Sequence, residues 1–130
     1  MPPSGEAYKD KVEQLFAAFN RHDWPAFAGY YKDTAQFLDP EFGPAYVLKT
    51  RGETIAKYSE MQSMFPDVRD SLTNIFADGE SVVAEFISTG TAHDGTKWSL
   101  PIVSVFRFRH GKIERDATYY DMEMTEPPVK

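Results

Sequence analysis

The chain has 130 residues, of which 42% are hydrophobic and 15% aromatic, with a formal net charge of -6 and a pI near 5.0. This length fits one domain with a substantial core, and the acidic balance argues against the basic surfaces that bind nucleic acid or anionic membranes. The absence of cysteine excludes disulfides, thiolate catalysis and sulfur-ligated metals.

The N-terminal residues contain no basic region or apolar run, and no window of the sequence approaches membrane-spanning length. We therefore expect a cytoplasmic protein that binds neither nucleic acid nor a membrane. Proline-rich ends predict a flexible N-terminal tail over residues 1–7 and a C-terminal tail over residues 123–130. A single domain is predicted between them, over residues 8–122.

The first half of the domain is predicted to be mainly helical. Apolar residues recur at helical spacing from Tyr8 to Phe19, which predicts an amphipathic first helix. Asp23 is a favourable N-cap for a second, shorter helix, because Pro25 then falls in the first turn, where its missing N–H costs little. A third helix is predicted to begin at a capping box, 50–53, and to end before Pro66.

Strands account for most of the remaining chain. A short strand at 34–38 and a brief extended piece at 46–48 precede the third helix. Four longer strands are predicted at 71–77, 81–91, 97–109 and 112–122, and glycine-containing turns join them into an antiparallel meander. Helices followed by a meander indicate an α+β domain in which a curved antiparallel sheet wraps around three N-terminal helices.

Asp39 is the first candidate for an acid–base group. It lies between Phe37 and Phe42, where a strand runs into a turn. An apolar setting removes hydration from a carboxylate and increases its proton affinity, which suits a general base or acid. An Asp-Pro pair also commonly opens a turn, so a purely structural role is the alternative.

Turn lengths predict which strand residues share a face of the sheet. A two-residue turn at 94–95 puts Glu85 opposite Ser104, and a three-residue turn at 109–111 puts Ser104 opposite Asp116. One face is then mainly apolar with a few polar groups, as expected of a ligand pocket; its members are Glu85, Ile87, Thr89, Trp98, Leu100, Ile102, Ser104, Phe106, Asp116, Thr118 and Tyr120.

The opposite face carries Pro101, Val103 and Val105. A strand that is apolar on both faces is buried within a domain or covered by another subunit. Because the chain has too few helices to cover both faces, we expect a homodimer through this outer face. For Glu85, a solvent-facing position is the alternative, since one register slip inverts its direction.

The order of these motifs resembles that of the SnoaL-like proteins, which belong to the nuclear-transport-factor-2-like superfamily with the ketosteroid isomerases. The resemblance covers residues 9–122 and implies a cone-shaped α+β barrel around a deep pocket, usually dimeric through the sheet. This fold hosts isomerases, cyclases, epoxide hydrolases, dehydratases and non-catalytic domains. The motifs are Phe37-Leu38-Asp39-Pro40, Arg51-Gly52, Phe65-Pro66-Asp67, Val105-Phe106-Arg107-Phe108, Gly111-Lys112-Ile113 and Tyr119-Tyr120-Asp121.

The resemblance carries over to single residues only in part. Ketosteroid isomerases place their base in an Asp-Pro turn, which Asp39 matches, whereas their two oxyanion-hole positions correspond to Leu15 and Ser104. The acid–base His and Asp of SnoaL-type cyclases fall near Ser104 and Thr118. Limonene epoxide hydrolases use an Asp-Arg-Asp relay, and the predicted pocket face has no arginine.

The leading hypothesis is a cofactor-free acid–base isomerase, cyclase, hydrolase or dehydratase with a small, apolar, oxygen-bearing substrate of polyketide or terpenoid type. Asp39 is the expected base, Glu85 or Asp116 its carboxyl partner, and Tyr58 or Tyr120 the hydrogen-bond donor. Further substrate contacts are expected from Phe16, Trp24, Phe27, Phe42, Tyr58, Ile87, Trp98, Ile102, Ser104 and Thr118.

A pocketed binding domain or structural dimer without chemistry is the alternative hypothesis. It is favoured by the absence of the oxyanion-hole tyrosine from its expected position. The three histidines, His22, His93 and His110, fall in or beside unrelated turns, so neither a metal site nor a cofactor is expected.

Overall fold

The computed structural model describes residues 5–121. Within them it contains three α-helices, a short 3-10 helix at Pro40–Phe42 and six β-strands. The elements in chain order are α1 Gly5–Asn20, α2 Trp24–Ala28, β1 Tyr31–Leu38, β2 Val47–Thr50, α3 Arg51–Met64, β3 Arg69–Asp78, β4 Ser81–Thr91, β5 Lys97–Arg109 and β6 Lys112–Tyr119.

The helix boundaries follow the signals in the sequence. Asp23 caps α2 by accepting a hydrogen bond from the Ala26 N–H at 3.1 Å, and Thr50 and Glu53 form the predicted capping box at the start of α3. Helix α1 begins at Gly5, so it includes the last residues of the predicted N-terminal tail. Residues 1–4 and 122–130, which include the predicted C-terminal tail, lie outside the described residues.

The six strands form one curved, unclosed sheet in the order β2-β1-β6-β5-β4-β3. Strands β3 to β6 form the predicted antiparallel meander, but β1 pairs with β6 in parallel. The predicted curved sheet around the N-terminal helices is confirmed, with one parallel pair between β1 and β6, which no tight hairpin joins. Strands β2 and β3 remain at the edges, so the sheet is not the closed barrel that the resemblance implied.

The connection between β4 and β5 is longer than predicted. The Ala92 N–H donates to the Thr96 carbonyl at 2.8 Å, so three residues, 93–95, lie between this pair instead of two. Trp98 consequently lies opposite Gly90, one position away from its predicted partner. The β4–β5 register is thus shifted by one residue from the prediction.

This shift reverses the direction of β4 side chains, because neighbouring residues on a strand point to opposite faces. Phe86 and Ser88 point inward and are buried. Glu85 points outward, is exposed and accepts a hydrogen bond from the Asn74 side chain at 3.1 Å. Ile87 shares this outer face, so the predicted inward placement of Glu85 and Ile87 is wrong.

The β5–β6 hairpin also differs from the prediction, but without a change of face. Its turn has two residues, His110 and Gly111, with φ angles of 51° and 80°, as type I′ hairpin turns require. A bulge at Glu114 adds a further residue deeper in the hairpin. Together these differences shift the pairing by two residues, so Asp116 and Thr118 keep their predicted inward direction.

Helix α1 packs its apolar face on the inner side of the sheet. Tyr8 stacks on Phe108 with ring centroids 4.4 Å apart, and Phe16 meets Phe86 edge-on at 4.8 Å. At the end of α1, the Asn20 side chain donates to the Asp70 carbonyl and accepts from the Asp70 N–H, both at 2.8 Å. These contacts hold α1 against β3 and leave open the space beneath α3.

Candidate functional site

A cavity of about 800 Å³ lies between the inner face of the sheet and the three helices. This volume lies within the range of small-molecule sites. Of the predicted catalytic residues, Asp39, Asp116 and Tyr120 line the cavity. So do most of the predicted substrate contacts, namely Phe16, Phe27, Tyr58, Trp98, Ile102, Ser104 and Thr118. Their roles remain predictions.

Four predicted site residues lie elsewhere. Glu85 and Ile87 point away from the cavity because of the β4–β5 register. Trp24 is buried in the core, where its indole N–H donates to the Gln62 side chain at 2.7 Å. Phe42 lies under the Lys57 ammonium and lines a separate void of about 10 Å³. The placement of these four residues in the pocket is therefore wrong.

Asp39 lies where β1 ends and serves as N-cap of the short 3-10 helix. One carboxyl oxygen accepts hydrogen bonds from the Tyr120 hydroxyl at 2.7 Å and from the Glu41 N–H at 2.9 Å. The Lys57 Nζ lies 3.7 Å from the other oxygen. These partners fix the orientation of the Asp39 carboxyl group at the cavity wall.

Lys57 is a site residue that sequence reasoning missed. Its ammonium lies between the rings of Phe42 and Tyr58, 4.6 and 4.7 Å from their centroids. Cation–π contacts and the Asp39 carboxylate together hold it in place. Its position directly before Tyr58 in α3 was the available signal, but the sequence alone did not bring it near Asp39.

Asp116 is buried and accepts hydrogen bonds from two hydroxyls. Tyr31 donates to one oxygen at 2.6 Å, and Thr118 donates to the other at 2.8 Å. The Thr118 hydroxyl is also 2.6 Å from the Ser104 hydroxyl. Burial raises the pKa of Asp116, although these hydrogen bonds oppose the increase. Tyr31 was not among the predicted site residues.

Tyr58 of α3 lines the same cavity. Asp39, Asp70 and Asp116, which come from separate parts of the chain, line this cavity as well. Burial raises the pKa of the Tyr58 hydroxyl well above the ordinary tyrosine value, and Asp116, Asp39 and Asp70 each raise it further. Tyr58 therefore stays protonated and remains a hydrogen-bond donor at neutral pH.

Asp70 in β3 is the second carboxyl that sequence reasoning missed. It is 8% exposed and lines the cavity. Burial raises its pKa to about 7, with the Ser88 hydroxyl opposing the increase. Its Oδ1 atom and the Trp98 indole N–H are buried without a hydrogen-bond partner within residues 5–121. Side chains alternate between the two faces of a strand, so Asp70 lies on the same face as the apolar Val68 two residues earlier. This was the only signal in the sequence that could have identified Asp70.

Within residues 5–121, no group of three or more His, Asp or Glu side chains is arranged to hold a metal ion. Among the helices of the same residues, none combines the length and the apolar character needed to cross a membrane.

Three solved structures illustrate what this fold is similar to. IdmH, a candidate polyketide cyclase from Streptomyces antibioticus, has 21% identity and a TM-score of 0.79, over 91% of this chain and 94% of its own. SalBIII, an epoxide hydrolase/cyclase-like enzyme in pyran ring formation of salinomycin, has 21% identity and a TM-score of 0.79, over 92% and 94%. A candidate ketosteroid isomerase from Kribbella flavida has 20% identity and a TM-score of 0.73, over 97% and 85%.

At these identities the likeness concerns the fold alone. Comparison with curated proteins yields no significant match. The sequence does match a family description, that of the SnoaL-like domain, over residues 12–116. Because this match spans most of the chain and the helices and curved sheet have the expected arrangement, the chain belongs to the SnoaL-like domain family.

Proposed function

We propose that this protein is a cofactor-free acid–base enzyme, of the isomerase, cyclase or hydrolase/dehydratase type. The observation that carries the proposal is that three carboxyl groups, those of Asp39, Asp70 and Asp116, line one cavity together with Tyr58. Carboxyl groups in contrasting surroundings are a recurrent arrangement for an acid and a base that act together at neutral pH.

Asp39 is the base in this proposal, because its donors orient a carboxylate towards the cavity. Asp70 is the acid, since with a pKa of about 7 it holds a proton in part of the molecules at neutral pH. Asp39 takes a proton from a carbon or hydroxyl group of the substrate, and Asp70 gives one to a substrate oxygen. The two carboxyls exchange protonation states, and solvent restores them after product release.

The substrate class follows from the cavity wall. Aromatic and aliphatic side chains, among them Phe16, Phe27, Leu100 and Ile102, contribute most of its surface, and carboxyl and hydroxyl groups lie between them. Such a site favours a largely apolar molecule with one or two oxygen groups. The chemistry in the names of IdmH, SalBIII and the Kribbella protein agrees with a polyketide- or terpenoid-like substrate.

Ligand binding without chemistry is the second candidate. Leu15, at a position where the resemblance places an oxyanion-hole tyrosine, lines the cavity with an apolar side chain. Removal of one such donor typically costs two to three orders of magnitude in rate. Under this alternative, the same cavity binds the same class of molecule and releases it unchanged.

Activity measurements on Asp39→Asn distinguish the two candidates. The assay uses three probe classes, a β,γ-unsaturated ketone, a hydroxy-epoxide and a β-hydroxyketone, which report isomerisation, ring closure and dehydration. We expect turnover of at least one class, and a loss of kcat/KM of about 100-fold or more in the variant. Asparagine is also a good N-cap, so the local fold is retained.

Asp33→Asn is the matched control, because Asp33 lies on β1, the strand that leads to Asp39, with an exposed side chain paired to Arg51. Its activity should equal that of the wild type. Turnover that survives in Asp39→Asn would contradict the assignment of the base. If no probe is turned over by the wild type, the binding-only candidate is favoured instead.

A further inference from the structure

Two buried polar atoms on the cavity wall have no hydrogen-bond partner within residues 5–121. They are Oδ1 of Asp70 and the indole N–H of Trp98. An unsatisfied buried donor or acceptor costs about 1 to 3 kcal/mol. Both residues line the 800 Å³ cavity, and the two polar atoms themselves are covered, so a rotation of each side chain is needed to present them to a bound molecule.

The strand register places these two groups on the same part of the inner face. Asp70 lies opposite Ser88 on β4, and Trp98 lies opposite Gly90, two residues further along β4 on the same face. The Trp98 ring lies directly over Gly90, since a Cβ added there would be 3.0 Å from the indole nitrogen. Asp70 and the indole N–H are therefore on neighbouring positions of one wall.

The surroundings of this pair are mostly apolar or uncharged. Phe65 packs edge-on against the Trp98 ring at 5.1 Å. The Asn20 side chain is occupied by the Asp70 backbone. The titratable and charged groups that line the cavity from the other elements are Tyr58, Glu60 and Lys57 of α3, Asp94 of the β4–β5 connection, Tyr31 of β1, Asp39 and Glu41 beyond its end, Asp116 of β6 and Tyr120 directly after it.

We propose that the Asp70 carboxyl group and the Trp98 indole N–H together form a binding subsite for a carbonyl oxygen of the ligand. A carbonyl oxygen has two lone pairs and accepts one hydrogen bond from the neutral carboxyl group and one from the indole. The inference rests on the proposed function, because it identifies the substrate as a ketone and names the oxygen that Asp70 protonates.

Binding should depend on pH in a defined direction. A neutral Asp70 donates to the carbonyl oxygen, whereas an ionised Asp70 turns its lone pairs towards that oxygen and repels it. Because the pKa of Asp70 is about 7, affinity for a ketone should fall as the pH rises from 5.5 to 8.5. Tyr58 does not ionise in this range, since its pKa is raised well above the ordinary value.

A pair of bicyclic probes tests the subsite in the intact protein without any requirement for turnover. 2-Acetylnaphthalene carries a ketone, and naphthalene has the same rings without oxygen. At pH 5.5 we expect the ketone to bind about tenfold or more tightly than naphthalene, as two hydrogen bonds warrant. At pH 8.5 this advantage should be largely lost, while naphthalene affinity stays constant.

Two variants locate the effect. Trp98→Phe keeps an aromatic ring beside Phe65 and removes the N–H, so it should weaken ketone binding about fivefold and leave naphthalene binding unchanged. Asp70→Asn keeps a donor of similar shape that does not titrate, so it should make ketone binding independent of pH. Thermal unfolding of both variants verifies that they are folded.

The inference is overturned if the wild type binds the ketone no more tightly than naphthalene, which includes the case in which neither binds. It is also overturned if Trp98→Phe weakens both probes equally, or if ketone binding does not change with pH. Failure of the proposed function looks different, because the ketone would then bind as described while none of the probe substrates is turned over.

Discussion

Three aspartates line one cavity, and their surroundings differ. Asp39 is held by a hydroxyl, an N–H and an ammonium group. Asp116 is buried with two hydroxyl donors, and Asp70 is buried with one oxygen unpartnered. Several of these partners, namely Tyr120, Lys57 and Tyr31, come from distant segments of the chain, so the surroundings of the carboxyl groups depend on tertiary contacts. Their chemistry is set by the fold.

Asp70 should make stability depend on pH. Its pKa is about 7 in the folded state against 3.8 for the ordinary group, so between these values the folded state holds a proton that the unfolded state has released. The free energy of unfolding therefore falls as pH rises from about 4 to 7, by up to about 4 kcal/mol, and levels off above. Urea denaturation from pH 4.5 to 8 measures the slope.

Asp70→Asn removes this contribution and should reduce the slope to what Asp116 contributes in the same direction. Asp94→Asn is the matched control. Hydrogen bonds from Thr96 lower the pKa of Asp94, so any effect of Asp94 on the pH dependence of stability lies below the pH range of this experiment. An unchanged slope in Asp70→Asn would contradict the assignment of the buried proton to this residue.

The difference between Asp39 and Asp70 explains what the sequence could predict of the site. Asp39 stands in an Asp-Pro turn between phenylalanines, a local pattern that points to a special carboxyl group. Asp70 has no such pattern, and its burial depends on Asn20, 50 residues away, which clamps its backbone. Local patterns identify candidates, but they do not measure desolvation produced by tertiary contacts.

At the scale of elements, helices and strands were predictable and register was not. The capping box at Thr50 and the Asp23 cap are local signals that depend on a few neighbouring residues, and both are present as predicted. Register instead depends on whether a turn holds two or three residues. An Asp-Gly pair is compatible with both lengths. The predicted two-residue turn at 94–95 was therefore wrong, and the predicted direction of the Glu85 side chain was wrong with it.

Strand β4 offers a test of how closely Trp98 packs. A Cβ at Gly90 would lie 2.6 Å from a carbon of the Trp98 ring, closer than atoms can approach. Gly90→Ala must therefore displace the indole, and we expect a loss of about 1 to 3 kcal/mol in unfolding free energy, measured by urea denaturation.

Gly52→Ala in α3 provides the comparison, since its added Cβ would come no closer than 3.9 Å to any atom outside its own neighbourhood. Alanine is a better helix former than glycine, so this variant should be about 0.5 to 1 kcal/mol more stable than the wild type. Equal stability of the two alanine variants would show that the Trp98 ring yields without cost.

For the molecule as a whole, the outer face of the sheet is the most distinctive surface. An apolar row crosses five strands there, from β3 through β4, β5 and β6 to β1. Its members, each paired with the next across neighbouring strands, are Phe76, Val83, Val105, Ala117 and Leu38. Phe76 is 50% exposed in the single chain. From this row we propose that two copies pair through the outer face.

Val105→Glu places a charge in the middle of this row and should convert a dimer into a folded monomer. Sedimentation velocity at micromolar concentration measures the change, and circular dichroism verifies the fold. His93→Glu, in the exposed β4–β5 connection, is the control and should remain dimeric. A wild type that sediments as a monomer at tens of micromolar would rule out this dimer.

The hydrogen bonds among Ser104, Thr118 and Asp116 have a defined order of donors and acceptors. Thr118 has one hydroxyl hydrogen, which it donates to Asp116, so the hydrogen shared between Ser104 and Thr118 belongs to Ser104. While Asp116 is ionised, Ser104 thus offers only lone pairs to the cavity and suits a ligand O–H or N–H. The cavity therefore has hydrogen-bond donors at Trp98 and Asp70 and an acceptor at Ser104. A ligand with a ketone at one end and a hydroxyl at the other fits this arrangement in one orientation only.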